Sequence, residues 1–181
     1  MKYVRVMDGL NSNAGGFKYK LDEINVAEKW DTSTLKPEKM GGFNFGTEDK
    51  ILRWLHRGDT LYDVIIPDDA EVILCNDEKG IYRSNKIIVT NPRKITDELV
   101  IELYKKTTLS HKIITDCLVT LLWRNRKEIC KYIIKDRINK ENKDETIKEF
   151  ERFISNKENK EFNYYELWDD AKEIYNILKS I

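Results

Sequence analysis

The sequence predicts an α+β protein, with a mixed, mostly antiparallel small sheet and one helix in the N-terminal half and an all-helical C-terminal half. Two observations lead there. All eight glycines fall between Gly9 and Gly80, and the three prolines are Pro37, Pro67 and Pro92, so Arg93 to Ile181 contains neither residue. Glycine and proline punctuate strands and turns, whereas a segment free of both can run as consecutive helices. The hydrophobic period agrees: short β-branched runs precede Pro92, and apolar residues recur three and four positions apart after it. The expected domains are a mixed one over residues 1–92 and a helical one over 93–181 packed on it.

Lys2 to Met7 alternates as a strand, and Gly16 to Leu21 reads as another after the turn-forming run Asn11-Ser-Asn-Ala-Gly-Gly. A long loop holding Trp30 and Pro37 follows. Gly41 to Phe45 gives a short strand leading into a helix, with Thr47 at its N-cap and Glu48 and Asp49 in the first turn, where the helix dipole favours acids. Ile51, Leu52 and Leu55 form its buried stripe, His56 and Arg57 its last turn, and Gly58 a left-handed stop. Thr60 to Ile66 and Glu71 to Cys75 read as strands about the turn Pro67-Asp-Asp, and Lys86 to Thr90 as a final strand halted by Asn91-Pro92. Beyond it, Thr96 caps a helix through Tyr104, Ser110 a longer one from Lys112 to Trp123, and a third runs from Lys127 to Arg137. Ile147, Phe150, Phe153 and Ile154 recur at helical spacing, as do Leu167, Trp168, Ala171, Ile174, Tyr175 and Leu178, with Asn163 and Glu166 as a capping box before the last helix.

Charge narrows the function classes. The 181 residues carry 32 basic and 32 acidic side chains, a formal net charge of zero. That removes the basic footprint of a general binder of nucleic acid or anionic membrane, so neither is an expected partner. Lys2 and Arg5 interrupt the apolar run a secretory signal needs, and the longest apolar stretch, Cys117 to Trp123, is far short of the roughly 20 residues of a membrane helix. Cys75, Cys117 and Cys130 are widely spaced with no Cys-x-x-Cys pair, as expected of reduced thiols in an intracellular, cytoplasmic protein. No metal site is expected: Asp68, Asp69 and Glu71 read as a solvated turn rather than as converging oxygen ligands. His111, at the start of a helix, belongs to no triad pattern. Two features are candidate partner contacts. Trp54, beside Leu52 and Leu55, is a candidate anchor. Arg124, Arg126, Lys127 and Lys131 give the stretch through Arg137 a local positive excess that suits an acidic partner or a phosphate.

Separated motifs carry a resemblance. Gly41-Gly-Phe-Asn-Phe-Gly-Thr-Glu-Asp-Lys-Ile-Leu-Arg-Trp-Leu, then Leu61-Tyr-Asp-Val-Ile-Ile-Pro-Asp and Tyr82-Arg-Ser-Asn-Lys-Ile-Ile-Val, preceded by Gly16-Phe-Lys-Tyr-Lys, follow one another in an order and spacing found elsewhere. Over about residues 14–95 the chain thus resembles the N-terminal domain that precedes the repeats of giant-virus (mimivirus-type) ankyrin-repeat proteins. Leu118 to Arg137 is similar to an ankyrin helix pair, without the Gly expected after its second helix or the Thr-Pro-Leu-His entry. The resemblance implies a viral or phage origin and an intracellular protein-interaction module, without catalysis or cofactor, whose partner is a host or cognate protein.

A second resemblance points elsewhere. An N-terminal strand, a Phe-x-Phe-x-Thr segment opening a helix (Phe43 to Thr47), a strand ending in Pro67 and a late Tyr82-Arg-Ser strand are similar in order to small ADP-ribosyltransferases such as those modifying rifamycin. This resemblance implies a split sheet gripping NAD, with Arg5 for the cofactor's phosphates or ribose, Phe45 for stacking and Glu71 for steadying an oxocarbenium-like transition state. The chain departs from that pattern in lacking a His-Gly-Thr-like entry and a Glu-x-Glu. At this level binder and enzyme both stand.

Overall fold

Residues 1–11, 16–34, 36–155 and 168–181 are described by the structure, a computed structural model. The fold is α+β and divides into two units, Met1–Leu109 and Ser110–Ile181. In the first, seven strands run β1 (Tyr3–Met7), β2 (Ile24–Val26), β3 (Phe43–Thr47), β4 (Thr60–Ile65), β5 (Val72–Asn76), β6 (Ile81–Ser84) and β7 (Lys86–Lys94). They form one sheet in the order β2-β7-β4-β1-β3-β6-β5, and every ladder is antiparallel. The sheet is therefore larger than the small one expected. The one helix expected before Pro92 is present as a 3-10 helix (Glu48–Arg57), but a second, α1 (Pro37–Met40), precedes it, and α2 (Asp97–Lys106) belongs to the first unit.

Alternation places the core. One face of the sheet gathers Met7, Phe43, Phe45, Tyr62, Val64, Ile87 and Val89 with Tyr19. Val4 and Val6, one position out of phase with Met7, are buried on the other side, where the 3-10 helix packs on β1 and β3 and α2 packs on the 3-10 helix. Burying each such aliphatic side chain stabilises the fold by about 1.5–3 kcal/mol. Ile51, Leu52 and Leu55 are the buried stripe of the 3-10 helix, as their spacing predicts.

Several local expectations change. Gly16 to Leu21 is not a ladder strand, because its backbone is satisfied locally: Tyr19 N donates to Leu10 O at 2.8 Å, and Lys20 N to the buried Asn25 Oδ1 at 2.8 Å. The strand falls instead at Ile24–Val26. Ile81–Ser84, given as a strand through the second resemblance alone, is hydrogen-bonded between β3 and β5. Gly58 is not a left-handed stop, since its φ of 176° is extended. Its lack of a side chain matters for another reason: a Cβ there would stand 2.1 Å from Met7 C and 2.2 Å from Met7 O. Asn91-Pro92 does not halt β7. Leu61 faces Arg93 and Asp63 faces Thr90, so the strand bulges there and continues to Lys94. Asn91 takes a φ of 50°, and its Nδ2 donates to Asp63 Oδ2 at 2.9 Å. A bulge is where a strand tolerates a proline, which has no N–H for the ladder. Thr47 holds the N-cap position without a side-chain cap bond, whereas Thr96 Oγ1 accepts from Leu99 N at 3.3 Å.

The second unit is built from α3 (His111–Trp123), α4 (Lys127–Arg137), α5 (Lys143–Ser155) and α6 (Trp168–Ser180). α3 is apolar almost all round, with Ile113, Ile114, Cys117, Leu118, Val119, Leu121 and Leu122 buried, and α4, α5 and α6 all pack on it. Phe150, Ile174 and Leu178 are fully enclosed, as their spacing predicts. The Asn163 and Glu166 capping box, Leu167, the turn residues 12–15 and the side chains of Phe153 and Trp168 lie outside what is described. No helix among the described residues is long and apolar enough to cross a membrane.

Candidate functional site

β1 pairs with β4 along its whole length, but with β3 at Tyr3–Thr47 and Val4–Gly46 alone. From Arg5 onward the ladder to β3 gives way to a side chain: Arg5 Nη1 donates to both the carbonyl oxygen and Oδ1 of Asn44. A guanidinium thus takes over the carbonyl that a backbone N–H would otherwise meet. Its carbon stands 5.0 Å from the Tyr19 ring centroid. Arg5 is 9% exposed, and its Nε has no hydrogen-bond partner among the described residues. Burial pushes its pKa down, Tyr19 opposes this, and the nearby positive charges of Arg83 and Arg57 push it further down.

Phe45, 4% exposed, is held in an aromatic cluster. Tyr3 meets it edge-on at 5.0 Å, and Tyr82 stacks on it at 5.8 Å. Phe17, Tyr19 and Phe43 extend the cluster toward Arg5. Glu71 sits elsewhere: it is exposed, its Oε2 accepts from Trp30 Nε1 at 2.8 Å, and its backbone N donates to Asn85 Oδ1 at 2.8 Å. Among the described residues no hydrogen bond or ion pair joins Glu71 to Arg5 or Phe45. The structure therefore brings Arg5 and the aromatic cluster together and leaves Glu71 on Trp30.

Trp54 is half-buried and enclosed by cations, with the Arg53 guanidinium 4.6 Å and the Arg57 guanidinium 4.9 Å from its ring. In a 3-10 helix residues three apart eclipse one another, which brings Arg57 over Trp54. The indole Nε1 is buried without a hydrogen-bond partner among the described residues and lies against β3, 3.8 Å from where a Cβ on Gly46 would stand. Arg83, opposite Asn44 in the β3–β6 register, donates from Nε to Gly41 O at 2.7 Å and from Nη2 to Gly42 O at 3.2 Å. The sequence names Arg57 only as a last-turn residue and Arg53 and Arg83 only within longer motifs, none of them as a site residue. The pattern Arg53-Trp-x-x-Arg57 is a local signal for the first two, but Arg83 is placed by register alone.

Lys127 and Lys131 of α4 are paired within the second unit. Lys127 Nζ lies 2.7 Å from Asp170 and 2.9 Å from Glu173, and Lys131 Nζ lies 2.6 Å from Glu173 and 2.9 Å from Glu128. Hydrogen bonds from Lys131 and then Lys127 hold Glu173 down at about 2; bonds to Asp170 and then Glu173 raise Lys127, and bonds to Glu173 and then Glu128 raise Lys131. Arg124 stands 5.3 Å from the Trp123 ring, and Arg126 occupies the N-cap position of α4. Of the positive excess read along residues 124–137, Lys127 and Lys131 are thus met by acids of α6. His111 Nε2 lies 2.9 Å from Thr146 Oγ1, and Asp69 is paired with Lys86. Among the described residues no group of three or more His, Cys, Asp or Glu side chains is placed to hold a metal ion. No family model, curated protein or solved structure matches the chain.

Proposed function

We propose that the chain is a non-catalytic protein-interaction module whose partner is a host or cognate protein. The supporting observation is an uncovered aliphatic row on the sheet. Ile88 of β7 is paired with Ile24 of β2 on one side and Ile65 of β4 on the other, so the three lie across adjacent strands on the face opposite the aromatic cluster. Ile24 and Ile65 are each 52% exposed, and Val26, two residues along β2, is 57% exposed. A contiguous aliphatic row beside an edge strand is a surface that a protein partner covers. The test compares wild type with an Ile24→Lys/Ile65→Lys variant as bait in lysate of the natural host. Both sites are half-exposed, so the variant is expected to melt as wild type does. A protein retained by wild type and lost from the variant supports the reading. Equal retention, or transfer of label from NAD by the folded wild type, overturns it.

A further inference from the structure

We propose that the outer edge of β5 takes up, as an added strand, an extended segment of a partner protein with apolar alternate residues and Lys or Arg at both ends. This surface is distinct from the aliphatic row, which lies by β2 at the other end of the strand order. β5 closes the sheet with β6 as its one partner strand among the described residues, and no further backbone–backbone hydrogen bond among them reaches Val72–Asn76. Alternate N–H and C=O groups of an edge strand point outward, a template for another chain. Edges are commonly guarded by a charge within the strand, by a proline or by a bulge. Val72, Ile73 and Leu74 include no charge or proline, and the bulge comes only beyond Leu74.

The side chains continue an apolar face. Leu74 stands opposite Tyr82 and Val72 opposite Ser84, while Phe45 and Phe43 face the same two residues from β3. Tyr82 stacks on Phe45, so the aromatic cluster runs out through Tyr82 to Leu74 and Val72, which are 47% and 39% exposed. An added strand sets its own apolar residues beside these two and covers them. Charge selects the occupant. Asp68, Asp69 and Glu71 precede Val72, and Asp77 and Glu78 follow Asn76, all exposed. Lys86 pairs with Asp69 and Trp30 with Glu71, but Asp68, Asp77 and Glu78 enter no ion pair among the described residues. A second copy of the chain is disfavoured: antiparallel pairing of two β5 strands about Leu74 sets Glu71 against Asp77, and about Ile73 it sets Asp69 against Asp77. With acids at both ends of β5, a segment carrying cations at both of its ends is matched in either direction.

The test is calorimetry of the full chain with an end-blocked peptide, Lys-Arg-Val-Thr-Val-Thr-Val-Arg-Lys, together with amide hydrogen exchange of the mixture. Binding with a Kd below about 1 mM and slowed exchange within Val72–Asn76 are expected. The same peptide N-methylated at its central Thr-Val-Thr keeps its charge but loses ladder donors, and should bind at least about tenfold more weakly. A peptide with Glu in place of each Lys and Arg should lose a similar factor. Leu74→Lys, at a half-exposed position, should melt as wild type does and bind the first peptide at least about tenfold more weakly; should it not fold, Asp77→Lys/Glu78→Lys, changed at exposed positions, should show the loss. Ile24→Lys/Ile65→Lys should bind the peptide as wild type does. The proposal is overturned if the first peptide does not bind, if the N-methylated peptide binds as tightly, if the slowed exchange falls on β2, or if the chain instead forms a dimer that Leu74→Lys abolishes.

Discussion

Replacing Gly58 by alanine isolates a contact invisible in the sequence. The added Cβ would stand 2.1 Å from the carbonyl carbon of Met7 and 2.7 Å from Asp8 N, where ordinary contact begins at 3.4 Å. The obstructing atoms are backbone at the end of β1, which β4 holds at Met7–Thr60, so no side chain can rotate away to make room. Either the chain before Thr60 or the end of β1 must shift by roughly 1 Å, and overpacking of that kind costs about 3 kcal/mol, the upper end of its usual range. In a unit of this size each kcal/mol moves the midpoint by about 4–8 °C, so Gly58→Ala should melt about 12 °C or more below wild type. Gly9→Ala is the control: its φ of 55° strains an alanine, but nothing lies within 4 Å, so the cost should be about 1–2 kcal/mol. Calorimetry of the full chain measures both. The reasoning fails if Gly58→Ala melts within about 2 °C of wild type, or if the control is the more damaging change.

Two further predictions concern titration. Glu173 has its folded pKa near 2, below the ordinary 4.5, so its stabilising effect is fully present above pH 4.5 and is lost as the pH falls through 2. A side-chain NMR titration should place its midpoint near 2, and Lys131→Ala should return it toward the ordinary carboxylate range; an unchanged midpoint in that variant counts against the pairing. Burial, with Cys117 nearby, pushes the Cys130 thiol far up, whereas Cys75 is half-buried and raised less. A thiol reagent at neutral pH should modify Cys75 well before Cys117 and Cys130, which should react at the rate of unfolding. Immediate modification of all three would contradict that packing.

What was legible in the sequence was what is encoded locally. Thr96 capping α2, the apolar spacing of α3 and α4, and the stripe Ile51, Leu52 and Leu55 each depend on residues within a turn or two. Strands set by their partners were harder to read. Ile24–Val26 is three residues long, and Ile81–Ser84 draws its hydrogen bonds from β3 and β5 rather than from any alternation of its own. Asn91-Pro92 read as an end because the bulge opposite β4 that accommodates it is a property of two strands. The candidate sites followed the same division. Arg5 stood out as a charge in an apolar strand, but the groups it meets, the Tyr19 ring and Asn44, lie 14 and 39 positions away. Lys127 and Lys131 looked uncompensated because the acids that meet them, Asp170 and Glu173, are on another helix, 43 residues from Lys127 in the case of Asp170.

The strand order also has a mechanical consequence. Among the described strands, β1 alone is laddered to both the plate β2-β7-β4 and the plate β3-β6-β5, which Asn85 otherwise connects as the one residue between β6 and β7. Its ladder to β3 has two registered pairs against five to β4. The junction between β1 and β3 is therefore the seam along which the sheet would part under load, and the Arg5 bonds to Asn44 act as its rivet. Amide hydrogen exchange should find opening easiest there, with β1 leaving in the company of β4 rather than β3.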